Sequence, residues 1–411
     1  MPDESILEYP DGRVSSCLSL GRMKMKNYDA ILKENIDWAR ETFAKIDGKF
    51  SKVTLRSRDK LSDGVDKNGF HISKSPSGWT SGFWGGLNHL LYNYTKNEEY
   101  LKTARRSEEL MDTALVDFAG LYHDVGFMWH ILSGANYRLY GDEMSKNRNL
   151  HAAASLFSRY VLSGGFIRAW NGHWGDENVE NWTIIDCLMN LPILYWASEV
   201  LHDDRFTQIA KAHADMAIRD HVRPDGSVAH IVEHDRETGE PVATYAGQGY
   251  AVGSSWSRGQ AWGIYGFVIS YKHTRDEKYL DAAKRIANYF IANCSDDWLP
   301  RVDFRAPAEP VYYDSTAGAI AACGLIEIAK EVGENEGGAF LNAAINLLRA
   351  LDKSFADYSP ENDAMLGYGT VRYPSRKEYL PDVHISIIYG DYYFTEAILK
   401  LLGADFDPWM K

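Results

Sequence analysis

TSGFWGGLNHLLYNYTKNEEYLKTARR, residues 80–106, is the stretch that decides the fold. Its first half is apolar nearly all round, rich in small residues and aromatics, as in a helix buried on every side. A short polar turn, KNEEY, follows, and the second half is amphipathic with Ala and basic residues. Acidic residues at that turn suit the start of a second helix, where they cap free N–H groups and oppose the helix dipole. The same design returns in TIIDCLMNLPILYWASEVLHDDRFTQIAKAHA (183–214) and SRGQAWGIYGFVISYKHTRDEKYLDAAKRIA (257–287), with weaker copies at 124–161 and 314–357.

Working outward from these copies, periodicity predicts roughly twelve helices. They lie near 28–46, 81–94, 97–117, 124–139, 146–161, 183–201, 204–220, 257–274, 276–293, 314–332, 338–357 and 386–403. Helices of the first kind predict an inner ring and those of the second an outer one. The expected fold is therefore all-α: an (α/α)6 toroid, or barrel, of six helical hairpins. It occupies 28–411 as a single domain after an N-terminal extension, 1–27. Long aromatic loops at 62–80, 162–182 and 221–256 precede inner helices and read as walls around one shared pocket. Within them SVAHIVEHDRETGEPVATYAG (227–247) alternates about a turn signal and predicts a small β-hairpin.

Bulk properties narrow the function. A formal net charge of -13 argues against nucleic-acid and anionic-membrane partners, both of which need clustered Lys and Arg. The first residues lack the basic and apolar regions of a signal peptide, and no stretch is apolar enough to span a bilayer. Cys17, Cys187, Cys294 and Cys323 are widely spaced, which fits reduced thiols in a cytoplasmic protein better than disulfides or a zinc site. No metal and no organic cofactor are implied. The toroid can be a monomer or a homodimer.

Two aspartates stand out as candidate catalytic residues. Asp186 interrupts the apolar run WTIIDCLMNLP in the first turns of an inner helix, whereas a capping Asp normally precedes such a run. Asp124, in LYHDVGFMWH, opens another inner helix, two helices earlier in the count of twelve. In a toroid, corresponding ends of inner helices face one pocket. Burial raises a carboxyl pKa, and a second carboxyl nearby helps hold one proton near neutral pH. The Gly-rich segment GQGYAVGSSWSRGQAWGIYG (247–266) contributes Gln248, Trp256, Arg258 and Trp262 as candidate substrate contacts. Arg258, poorly placed for the helix dipole, calls for an anionic partner: a structural carboxylate or a substrate carboxylate. Trp79 suits sugar stacking, Trp84 fits either stacking or the core, and His230 can sit over the pocket mouth. Trp170, His173 and Trp174 read as loop-wall residues. Ser375, Arg376 and Lys377 in VRYPSRKEYLPDVH (371–384) are expected near the rim, where Ser375 and Lys377 can contact a substrate sulfate.

The segments HDVGF, IIDCLMNLPILYWASE, SSWSRGQAWGIYGF, DSTAGAIAACGLIEIA and IIYGDYYFTEAILKL resemble the unsaturated glucuronyl hydrolases of glycoside hydrolase family 88 from about residue 28 to 403. The resemblance implies an (α/α)6 barrel acting on unsaturated uronic-acid oligosaccharides of the chondroitin, hyaluronan or heparin disaccharide type. It implies Asp186 as catalytic acid/base, Asp124 as the second essential aspartate, and Trp79, His230, Gln248, Arg258 and Trp262 around the uronate. Relatives often carry a His just before the Gln, where this chain has Gly247. An unsaturated rhamnogalacturonyl hydrolase is the nearest alternative, followed by a sugar 2-epimerase and a non-catalytic sugar-binding toroid.

Overall fold

The computed structural model describes residues 28–117, 120–174, 177–374 and 382–410. Twelve α-helices are found among them. The inner ring comprises α2 (Ser81–Thr95), α4 (Ser133–Tyr140), α6 (Pro192–Leu201), α8 (Ser257–Thr274), α10 (Ser315–Glu331) and α12 (Ile388–Leu401). The outer ring comprises α3 (Glu98–Met111), α5 (Glu143–Phe157), α7 (Arg205–Met216), α9 (Glu277–Asn293), α11 (Glu334–Phe355) and α1 (Tyr28–Arg56). α12 packs on α2, and α1 packs on α11, α12 and α3, so the first and last helices form the sixth hairpin and close the toroid.

Burial follows composition. Every residue from Ser257 to Tyr271 in α8 and from Ser315 to Ala329 in α10 is buried, as all-round apolar patterning requires. α3 and α9 bury one stripe only. The hairpin turns share one geometry. Lys96, Gly141, His202 and Arg275 each take the left-handed conformation that ends an inner helix. Side chains of Asn97 and Asp142 then accept backbone N–H groups of the following outer helix.

Three departures from the periodic reading matter for the site. First, α1 runs to Arg56 rather than ending near residue 46. Second, the two segments that carry the aspartates are not regular α-helix at their pocket ends. Gly126–His130 is a π-helical turn and Ile185–Asn190 is 3₁₀, each followed by a separate α-helix. Third, the expected hairpin is a three-stranded antiparallel sheet, with Trp182–Ile184 beside Ile231–His234, which pairs in turn with Pro241–Tyr245. The added strand leads straight into the Asp186 turn.

The far end of the barrel is plugged by the chain after α12. Trp409 is fully buried there, stacks on Tyr393 and donates its indole N–H to Glu396 at 3.1 Å. Asp407 and Glu327 hold Lys272 and Lys400 in a buried ion network beside it. Cys187, Cys294 and Cys323 are free thiols. No described helix is long and apolar enough to cross a membrane.

Candidate active site

Sheet pairing delivers the first carboxyl. Ile184 pairs with Ile231, and the next N–H, from Ile185, reaches the His230 carbonyl at 3.1 Å. This pins His230 beside Asp186, with the His230 Nε2 3.6 Å from Asp186 Oδ1. Trp182 and Ile184, two apart on the strand, point the same way and line the cavity. Trp182 stacks on Tyr245 from the third strand, with ring centroids 4.3 Å apart, forming an aromatic wall.

A close backbone approach delivers the second. A Cβ on Gly126 would come within 2.6 Å of the Asn190 Cα, so only glycine permits this contact. The Phe127 N–H donates to the Asn190 side-chain oxygen at 2.8 Å. Asp124 lies two residues before this contact and Asp186 four residues before it on the other segment. The Gly126–Asn190 contact therefore sets the spacing of the two carboxyls. Both open into one cavity of about 540 Å³. Neither segment has a side-chain cap at its start, which removes the capping explanation for these aspartates.

The site's electrostatics favour protonated carboxyls near neutral pH. Burial pushes the Asp186 carboxyl up to about 7, against the pull of Arg258 and of the nearby Trp262 indole N–H, which lies short of full hydrogen-bond geometry. Burial also raises Asp124 to about 7, helped by repulsion from Asp186 and opposed by Arg159. Both neighbouring histidines are kept neutral by burial: His123 well below its usual value and His230 down at about 3. The His230 Nδ1 accepts the Gln248 backbone N–H at 3.0 Å, which places the ring proton on Nε2, facing Asp186. The Ala246 carbonyl, 3.4 Å from the same Nδ1, is the more distant neighbour.

No family model matches the chain. Among curated proteins, the unsaturated glucuronyl hydrolase of Bacillus sp. (strain GL1) is 38% identical over 346 residues, 83% of this chain and 90% of that protein. The chain belongs to the unsaturated glucuronyl hydrolases. The unsaturated chondroitin disaccharide hydrolase of Streptococcus pneumoniae (strain ATCC BAA-255 / R6) is 32% identical, over 78% of this chain and 81% of its own length. The crystal structure of the Bacillus sp. GL1 unsaturated glucuronyl hydrolase superposes with a TM-score of 0.85 at 33% identity, covering 90% of this chain and 99% of that one. An unsaturated glucuronyl hydrolase structure with dGlcA-Glc-Rha-Glc superposes at 0.83 with 34% identity, covering the same shares. The glycoside hydrolase family and the (α/α) toroid expected above are thus established.

Within this unsaturated glucuronyl hydrolase fold, Trp79, His230 and Gln248 join the two aspartates at the cavity surface. Trp256, Arg258 and Trp262 do not line it. Trp256 is buried behind His230, ring centroids 4.3 Å apart, and Trp262 is buried against Phe127. The substrate contact expected of Arg258 gives way to the structural alternative. Its guanidinium donates to Asp314 at 2.5 Å and to the carbonyls of Thr370 and Val371, so it braces the wall and lowers the Asp186 pKa from behind. Trp84 is core, with its N–H on the Ser57 carbonyl. His173 sits on a two-residue strand at an exposed position, and Trp170 lines the cavity. Ser375, Arg376 and Lys377 lie outside the described residues, as does the Trp174 side chain.

Gly247 has a physical reason. Its φ is +60°, and a Cβ there would meet His230 Nδ1 at 2.1 Å. A larger residue before Gln248 is incompatible with this His230 placement. Tyr122, Trp182, Tyr245 and Arg372 also line the cavity but were not among the expected contacts. Strand alternation points to Trp182 and Tyr245, whereas nothing in the local sequence singles out Arg372.

Proposed function

We propose that this chain removes a 4-deoxy-hex-4-enuronic acid from the non-reducing end of lyase-generated, glycosaminoglycan-type oligosaccharides, with Asp186 as acid/base and Asp124 as its partner. The observation that carries the reading is the buried Asp124–Asp186 pair, both members raised to about 7 in one aromatic-walled cavity. A carboxyl poised near neutral pH is suited to protonating carbon.

In the proposed reaction, Asp186 delivers its proton to C4 of the C4=C5 bond. Positive charge develops at C5 and is shared by the ring oxygen. Water adds its oxygen to C5 and returns a proton to the Asp186 carboxylate. The resulting hemiketal breaks its bond between C5 and the ring oxygen to give a ketone. The hemiacetal left at C1 then expels the aglycone as an alcohol, so one water is consumed overall. Asp124 orients the sugar hydroxyls and keeps the Asp186 proton in place. The neutral His230 presents Nε2–H to Asp186 and to the sugar, and Trp79 supplies a stacking face. General acid catalysis of this type contributes ~10²–10⁴-fold.

The assay follows loss of enoate absorbance, at about 235 nm, on unsaturated disaccharides at neutral pH, where the buried pair still holds a proton. Wild type is expected to bleach it, and Asp186→Asn to lose at least about a thousandfold in kcat. Full activity in Asp186→Asn would refute the assignment. Unchanged absorbance with every unsaturated disaccharide would refute the substrate class.

A further inference from the structure

Arg159 lies just past the end of α5, an outer-ring helix, yet only 4% of it is exposed. Its guanidinium turns inward to the loop between the two aspartate-bearing segments. Nε donates to the Arg168 carbonyl at 3.0 Å. One terminal nitrogen donates to the Asn171 side-chain oxygen at 2.8 Å and to the Leu121 carbonyl at 3.4 Å, the other to the Ala169 carbonyl at 3.2 Å. The same loop joins the two segments. The Ala169 carbonyl also accepts the His123 N–H at 3.3 Å, and the Asn171 amide donates to the Leu121 carbonyl at 3.3 Å, which fixes the chain running into Asp124. On the other side, the Ala169 N–H donates to the Trp182 carbonyl at 2.8 Å, and Trp182 opens the strand that leads into Asp186.

All four acceptors of Arg159 are neutral. Among the described residues no carboxylate comes within ion-pair distance of it, in contrast to Arg258, which is paired with Asp314. Burial lowers its guanidinium only to about 10, so it is charged at neutral pH. A buried charge without a counter-ion is costly, and here it stands where its field meets Asp124.

From this arrangement we infer that Arg159 is a positioning residue for the reaction, locking the Asp124 segment to the Asp186 strand and holding a positive charge behind Asp124. The inference rests on the proposed function, because it takes Asp124 as the partner of Asp186. Arg159 does not line the cavity, so it acts through Asp124 rather than on the sugar. The other groups around Asp124 do not supply that charge. His123, with Nε2 3.4 Å from Asp124 Oδ1, and His230 on the sheet are both neutral. Asp186 repels Asp124, and burial keeps the Cys187 thiol protonated. Arg168 and Tyr122 act on Arg159 itself. The field of Arg159 thus works against burial and lets Asp124 ionise, as an acceptor for sugar hydroxyls.

The test replaces Arg159 by Gln, which removes the charge, and by Lys, which keeps the charge but not the planar fork. Loss of a charge at this range moves a carboxyl by about one pH unit, so in Arg159→Gln the acid limb of the kcat/KM profile, where Asp124 takes up its proton, is expected about one unit higher. Its kcat at neutral pH should fall about 10–100-fold with KM within about threefold, because the loosened segment misplaces a group needed in the transition state. Arg159→Lys should leave the limb in place and still lower kcat about fivefold or more. An arginine that only supports folding would lower the folded fraction and move neither the limb nor kcat per folded molecule. An unmoved limb or an unchanged kcat in Arg159→Gln would therefore overturn the inference. Should that variant not fold, Arg159→Lys decides: a fixed limb with lowered kcat supports the role, and a shifted limb or unchanged kcat overturns it.

Infrared titration of the substrate-free enzyme separates this role from the function itself. The Asp124 carboxyl band, identified by its loss in Asp124→Asn, should titrate about one pH unit higher in Arg159→Gln. An unchanged midpoint refutes the role of Arg159 even if the disaccharide is cleaved. A raised midpoint supports it even if no unsaturated disaccharide is turned over.

Discussion

Replacing Asp186 by Asn should stabilise the protein while abolishing catalysis, and the gain should depend on pH. The sign follows from the raised pKa. In the unfolded chain the carboxyl ionises around its ordinary 3.8, but in the folded protein it holds its proton up to about 7. Below pH 3 both states are protonated and the group has no effect. As pH rises from 3.8, the unfolded chain gains the free energy of ionisation and the folded protein does not, so stability falls until pH passes about 7. At ~1.4 kcal/mol per tenfold, the full loss is about 4 kcal/mol, of which about 2–3 kcal/mol falls between pH 5 and pH 8. Asn is nearly isosteric and does not ionise, so it escapes this loss. The assay is urea denaturation of wild type and Asp186→Asn at pH 5 and pH 8, holding ionic strength constant. The advantage of the variant should grow by about 2 kcal/mol or more between the two. A difference that stays constant with pH, or shrinks, would refute a carboxyl held protonated by burial.

Further outcomes follow from the same geometry. The pH profile of kcat/KM should fall tenfold per unit above about pH 7 as the essential proton is lost from the pair, and spectrophotometric rates between pH 5 and 9 check it. Gly247→Ala puts a methyl against His230 Nδ1 and breaks the contact that fixes its tautomer. A displacement of this size should lower kcat about 10–100-fold with little change in the far-ultraviolet circular dichroism. Trp409→Ala empties the plug at the far end of the barrel and leaves Glu396 without its indole donor. It should cost about 3–5 kcal/mol in denaturant titration, read against unchanged kcat for the fraction that remains folded.

The ring of hairpins was legible because its signal is local. A helix buried on every side must be apolar on every side, and α8 and α10 advertise that in consecutive residues. Asp186 was legible for a related reason, since a charge interrupting such a run needs an explanation that capping did not supply, and Asp124 by its place at the corresponding end of another inner helix. Less visible was the irregular backbone around them. Hydrophobic periodicity does not distinguish a π or 3₁₀ turn from α-helix when every neighbour is buried, as around Gly126–His130 and Ile185–Asn190. Two-residue strands are equally silent.

Arg258 marks the boundary between the two kinds of information. Its residue type and position at the start of an inner helix announced an anionic partner, and that much is a property of the chain. Whether the partner was substrate or Asp314, 56 residues away, depended on which side chains the closed ring brings together. The same holds for Gly247, which reads as a missing side chain until His230 is seen occupying the space. Sequence by itself determined the toroid and singled out the two aspartates, because burial patterns and residue chemistry are written along the chain. Only the tertiary structure decided which groups face the cavity and which brace it from behind, because those contacts join residues far apart in sequence and are set by packing distances of a few ångströms.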